Sequence, residues 1–344
     1  MTRTMRDLAC TAVLCVALFG MLSLAETHLD SYTVQILSLV AINAILAVSL
    51  NLIYGFTGMF SLGHAGFMAI GAYVCSLLIL TPEQKEMQWI LEEIHPFLAD
   101  LSLPFLPAVI MGGLVAAFFG LLIGLPVLRL GGDYLGIATL GFAEIIRVVI
   151  TNITPFTNGS LGIRGIPHYS TLWCNFGWLV FTLYCIVTLL RSNTGNVLKA
   201  IRDDEIAART MGVNTFLYRV LSFAIGAFFA GVGGALMASL ISTIDPKMFN
   251  FMLTFNVLMI VVAGGLGSIT GSIIGSVVIT FMLEWLRIVE SPISLFGWQI
   301  AGIPGMRMVI FSLLLLGIIL YRRSGLMGTR EFSWDAVFRT RRPL

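Results

Sequence analysis

Glu144 and Arg147 place opposite charges three residues apart in an otherwise apolar stretch of this 344-residue chain, LGFAEIIRVVI. At that spacing a carboxylate and a guanidinium share one face of a helix and can pair. Two roles follow. The pair can neutralise itself inside a bundle, or it can line a polar pathway and meet the charges of a solute. Glu284 and Arg287 repeat the pattern as a weak echo. Bond-making chemistry has less support. Cys10, Cys15, Cys75, Cys174 and Cys185 are scattered, with no CxxC pair and no histidine cluster, so metal and redox sites are not expected. The four histidines are dispersed, and His64 beside Gly63 reads as a hydrogen-bonded structural residue. The adjacent acids Asp203-Asp204 and Glu92-Glu93 lack further ligands at metal spacing, which leaves an enzyme without a catalytic set. No G-x-x-x-x-G-K-[ST] loop is present to cradle nucleotide phosphates, so no cofactor is expected and any ATP must be hydrolysed on another chain.

The elements that carry these residues are membrane spans. Only 11% of the chain is charged, 58% is hydrophobic and the mean hydropathy is +0.95, whereas a water-soluble domain keeps roughly a quarter of its residues charged. Runs of about 18 or more apolar residues recur, each long enough to cross a hydrocarbon core as a helix. They predict an all-α polytopic membrane helical bundle of about ten transmembrane helices near residues 8–24, 32–53, 60–80, 105–128, 134–152, 173–190, 216–241, 252–266, 268–287 and 306–321, the eighth and ninth poorly separated. Residues 1–330 form one transmembrane domain and 331–344 a basic tail on the inner membrane surface.

Lys and Arg sort unevenly over the connections. One side collects Arg3, Arg6, Arg129, Arg191, Lys199, Arg202, Arg209, Arg219, Arg322, Arg323, Arg330, Arg339, Arg341 and Arg342; the other keeps Lys85, Arg164, Lys247 and the boundary residues Arg287 and Arg307. The positive-inside rule therefore puts both termini in the cytoplasm. A net charge of +2 with this asymmetry is a topology signal and not a nucleic-acid one. Arg3 and Arg6 ahead of an apolar run ending Ser23-Leu24-Ala25 also fit a signal peptide, which would leave the later orientation intact.

The stretch KAIRDDEIAARTMGVN, residues 199–214, carries six charges. At mid-bilayer they would cost roughly 15–20 kcal/mol on an insertion scale, so this segment within the cytoplasmic loop 191–214 meets water or a partner. Gly195-Asn196 can start one short helix; Asp203, Asp204 and Glu205 suit the start of a second, which Arg209 and Gly212 would end. Apolar Val197, Leu198, Ile201, Ile206, Ala207, Ala208 and Met211 are too many for a purely solvated loop, and Ala207-Ala208 offers a smooth contact.

Ala207-Ala208, three residues and then Gly212 resembles the cytoplasmic "EAA" loop of ABC importer permeases, although Glu205 stands one place early, Ile206 holds the acid's position and the downstream Leu-Pro is absent. SLGHAGFMAIGAY (61–73), LRLGGDYLGIATLGFAEIIR (128–147), TNGSLGIRGIP (157–167) and GGLGSITGSIIG (264–275) extend the likeness over residues 35–330. Together they resemble the branched-chain amino acid ABC transporter permease family, LivM type. The resemblance implies a permease subunit, itself not an enzyme, that moves branched-chain amino acids by alternating access across a bacterial inner membrane. It also implies the partners: a second permease of LivH type, two ATP-binding subunits and a periplasmic binding protein. Lys199, Ala200, Asp203, Asp204, Glu205, Ala207, Ala208 and Gly212 would couple to the ATPase. Glu144 and Arg147 would meet the ammonium and carboxylate of substrate. A urea or short-amide permease of the same kind and an ion-coupled secondary transporter are the alternatives.

Small residues at four-residue spacing, Gly226, Ala230 and Gly234, then Gly267, Gly271 and Gly275, permit close helix approach in lipid. Gly264, Gly265 and Gly267 fit either a broken helix whose free backbone groups face a substrate cavity or a plain cytoplasmic turn. Asn158-Gly159-Ser160 matches a glycosylation sequon but reads better as a tight outer loop, which could also contact the binding protein.

Overall fold

A computed structural model describes residues 17–89, 92, 94–130, 132–290, 293–295, 298–300, 305–322, 325–328 and 330–331. The signal-like leader up to residue 16 and the basic tail beyond Glu331 lie outside them. Helix α1 covers 17–28. Helix α2 (Ser31–Asn51) runs on into a π turn, Leu52–Phe56; then come α3 (His64–Ile79), α4 (Pro82–Gln88), α5 (Pro96–Ala99), α6 (Phe105–Val127), α7 (Asp133–Asn152), α8 (Thr154–Thr157) and α9 (Leu172–Arg191). After the short α10 (Asn193–Asp203) and α11 (Glu205–Thr210) follow α12 (Thr215–Ile241), α13 (Phe251–Gly264), α14 (Ile269–Trp285) and α15 (Met306–Tyr321). Each expected span from the second onward thus coincides with a helix.

Fewer than ten of them meet a strict criterion. Among the described residues six helices are long and apolar enough to cross a membrane, or seven if α3 and α4, bent by 118° to each other, count as one broken span. Helices α3, α14 and α15 have 16, 17 and 16 residues, short of the ~20 that an untilted span needs. Helix α3 begins at His64 and not near residue 60, because the loop 57–63 and the first turn of α3 are held by contacts to other helices. Leu62 N–H donates to Thr139 Oγ1 of α7 at 2.9 Å, and Ala65 N–H to Thr254 Oγ1 of α13 at 2.9 Å. The Ser49 hydroxyl donates to Leu46 O and so accepts from His64 Nε2 at 2.9 Å. His64 is structural, as its surroundings in the sequence suggest.

Helix α12 is the centre of the bundle, packed against α6, α3 and α2. Glycine makes this possible: a β-carbon on Gly71 would collide with the backbone of Gly231, and one on Gly234 with the backbone of Met68. Gly226 faces Ile53 and Ala230 is fully buried, as the four-residue spacing predicts. In lipid, such backbone proximity supplies the dispersion energy that holds helices together. Gly271 and Gly275 bring α14 against Gly264 and Ile260 of α13 in the same way.

One end of the bundle is capped by its own loops. Strand β1 (Ile163–Arg164) pairs antiparallel with β2 (Thr243–Ile244). The Gln88 side chain donates to Arg164 O at 2.7 Å and accepts from Arg164 N–H at 3.1 Å. Lys85, fully buried, donates to Leu98 O and Leu101 O at 2.7 and 2.6 Å, tying α4 to α5 and to the segment that follows it. Burial holds its ammonium below the usual lysine range against the opposite pull of Asp100. Asn158 takes a left-handed conformation, φ 57°, is buried, and donates from Nδ2 to Gly162 O at 2.9 Å. A side chain so placed cannot accept a glycan, and the loop reading of that sequence stands.

Candidate functional site

At the opposite end the connections after α2, α6, α9 and α13 converge. Helix α10 starts at Asn193, two residues before the Gly195-Asn196 expected from sequence, with Ser192 at its N-cap. The break falls at Asp204, whose backbone is extended and whose carboxylate accepts from Ile206 N–H and Ala207 N–H at 2.8 and 3.0 Å, capping α11. Gly212, at φ 84°, lies just past the end of α11.

Glu205 fastens α11 to the bundle. It accepts from Arg219 Nη2 of α12 at 2.6 Å and from Arg209 Nη2 at 2.9 Å, while Thr215 Oγ1 donates to it at 3.4 Å. These contacts hold its carboxylate within the chain, and the exposed surface of α11 belongs to its neighbours. Ile206 and Met211 are 77% and 84% exposed, Ala207 is also exposed, and Ala208 is turned inward and buried. The smooth contact expected of Ala207-Ala208 therefore reduces to Ala207 flanked by two large apolar side chains. Asp203 accepts from Arg202 Nη2 at 2.8 Å. Lys199 reaches Leu190 O at 3.5 Å, and Ala200 O closes the last turn of α10 by accepting from Asp204 N–H at 3.0 Å.

Arg219 also lines a cavity of ≈ 400 Å³ with Tyr54, Met59, Phe60, Leu130, Gly132 and Leu135. The sequence motif 128–147 thus begins at the same cavity as the loop 57–63 and Arg219. Arg219 escaped the sequence reading because its partner lies 14 residues away on another helix; its only signal was a charge just inside an apolar run.

Glu144 and Arg147 pair with each other on α7. Their side chains remain 53% and 29% exposed, on a helix whose neighbours Ile145, Val148 and Val149 are exposed too. Among the described residues this face is left largely uncovered. Gly264 and Gly265 sit in the turn between α13 and α14. Gly264 O accepts from Met327 N–H at 3.0 Å, Gly265 O from Ser268 N–H at 3.2 Å, and Gly267 N–H donates to Asn51 Oδ1 at 2.9 Å. Gly265 N–H also donates to Val261 O at 2.9 Å, so these backbone groups of the glycine run find partners within the protein.

Comparison with known proteins follows the same lines. The family described as branched-chain amino acid transport system / permease component matches residues 32–320. The high-affinity branched-chain amino acid transport system permease protein LivM of Escherichia coli K12 is 34% identical over 289 residues, covering 74% of this chain and 64% of that protein, so the chain spans less than two thirds of that relative. The probable LivM of Methanocaldococcus jannaschii is 25% identical over 313 residues, 82% and 89% of the two chains, and LivH of Salmonella typhimurium 24% over 256 residues, 69% and 79%. No solved structure matches. By the extent of the family match and the identity to LivM, the chain belongs to the permease components of branched-chain amino acid transport systems.

Proposed function

We propose that this chain is the transmembrane permease subunit of an ABC importer for branched-chain, hydrophobic amino acids, working by alternating access with ATP hydrolysed on separate subunits. The observation that carries the reading is α11: a short helix fixed to the bundle by the Glu205–Arg219 pair, yet presenting Ile206 and Met211 to the outside at its charged, loop-bearing end. Two large apolar side chains at such a position match a protein partner, and each would contribute about 1.5–3 kcal/mol on burial. That end is the cytoplasmic one, with both termini on it, ten spans in the bacterial inner membrane, and the ATPase as the occupant of α11.

The pathway runs along the free face of α7. An ion pair half a helix length from either end is costly against lipid tails, so a second permease of LivH type or a water-filled channel covers it. There the Glu144 carboxylate and Arg147 guanidinium attract the ammonium and carboxylate of substrate delivered by a periplasmic binding protein.

The test is uptake of labelled leucine and of urea into vesicles holding this chain, its partner permease, ATPases and binding protein, with and without lumenal ATP. Leucine uptake requiring both ATP and binding protein is expected. ATP-driven uptake of urea alone would replace the substrate, and uptake that ignores ATP but follows an ion gradient would refute the mechanism.

A further inference from the structure

Arg202, near the end of α10, touches three other elements. Its Nη1 donates to Gly55 O at 3.2 Å, while Nε and Nη2 donate to Asp203 at 3.0 and 2.8 Å. A β-carbon built on Gly58 would stand 3.2 Å from the Arg202 Cα and 3.4 Å from its Cβ, and one built on Gly267 would stand 3.0 Å from its Nη1. Both glycines leave room for α10 to press against the loop after α2 and the turn before α14.

The Gly55 carbonyl belongs to the π turn at the end of α2. The ladder is reset there: Gly58 N–H goes to Tyr54 O and Met59 N–H back to Ile53 O. Such irregular turns mark points where a helix bends or transmits movement. One turn earlier, Asn51 is fully buried within an apolar helix. Its Oδ1 accepts from Gly267 N–H at 2.9 Å, and its Nδ2 donates to Ser268 O and Ser272 Oγ at 2.9 and 2.8 Å. Helix α10, the end of α2 and the turn between α13 and α14 therefore meet in one joint, closed by charge-assisted and buried hydrogen bonds.

We propose that Arg202 is a positioning residue that welds α10 to the π turn of α2 and, through Asn51, to the turn between α13 and α14, so that displacement of the loop 191–214 moves those spans as one body. The inference rests on the transport reading above and adds a second route to the one through Glu205 and Arg219. A slack joint would let α10 move without α2; the contacts at Gly55, Gly58 and Gly267 leave no slack.

The test replaces the hydrogen bond by a covalent one. R202C in the full complex should lower leucine uptake per ATP hydrolysed about tenfold, as expected for losing a charged hydrogen bond, while R202K, which keeps a charged donor, retains most of it. In G58C/R202C the β-carbons fall about 3.4 Å apart, close to disulfide geometry. Oxidation should form the bond and restore the ratio, and reduction should abolish it again. G58C alone, strained at φ 75°, and R202C alone should respond to neither treatment. A reversible rescue cannot come from a residue needed only for folding. An unchanged ratio in R202C, a pair that fails to cross-link, or a cross-linked pair that stays uncoupled would overturn the proposal. Absence of ATP-dependent uptake in the parent complex would overturn the transport reading as well.

Discussion

Two Glu–Arg pairs in this chain do different work with the same chemistry. Glu144 and Arg147 are neighbours on one helix and face outward from the bundle. Glu205 and Arg219 come from two helices, their side chains only 31% and 20% exposed, and a third residue, Arg209, joins them. The first pair adds no tertiary constraint, since α7 would fold without it; its value lies in cancelling two charges within an apolar span. The second is a fastener that joins α11 to α12, beside the capping Asp204, the buried Ala208 and the weaker reach of Arg209 to Thr215. A local ion pair on a free face is thus a candidate for meeting solute, and a long-range pair at a loop is a candidate for transmitting force.

Breaking each pair separates these roles. Glu144→Gln removes the carboxylate that would meet the substrate's ammonium, and losing such a charge-assisted contact corresponds to about 1.5–3 kcal/mol. Leucine uptake should fall about a hundredfold with the amount of assembled complex unchanged; unchanged uptake removes Glu144 from the pathway. Glu205→Ala should act more mildly, since a partly exposed pair contributes about 1 kcal/mol or somewhat more. The expected outcome is about a tenfold loss of uptake, with faster amide hydrogen exchange across 205–210 and unaltered exchange in α7. Equal exchange in the two proteins would show that the pair does not fasten α11.

Much of this architecture was legible beforehand, for physical reasons that also mark the limit. Apolar runs locate spans because the bilayer leaves the backbone no other partner than itself. A break near Asp203 was legible because three consecutive acids suit a helix start, and it falls one residue on, at Asp204, with Asp203 closing α10. The length of α3 was not, because Leu62 in the loop 57–63 is held by Thr139, 77 residues away, and the first turn of α3 is anchored at Ala65 by Thr254, 189 residues away. Nor was the inward turn of Ala208, since a six-residue helix has no periodicity to read. Asn51 did carry a signal, an amide within an apolar span, but only the fold shows that it serves the turn at Gly267.

The central claim is that energy enters through α11, and the most direct measurement is retention of the ATPase subunits on the purified chain carrying I206D and M211D. Both side chains are exposed, so the substitutions leave the bundle intact, while a carboxylate buried against a partner's apolar surface is heavily penalised. The doubly substituted chain should lose at least about tenfold of its bound ATPase, and with it ATP-dependent leucine uptake. Full retention of both would contradict it and place the coupling surface elsewhere.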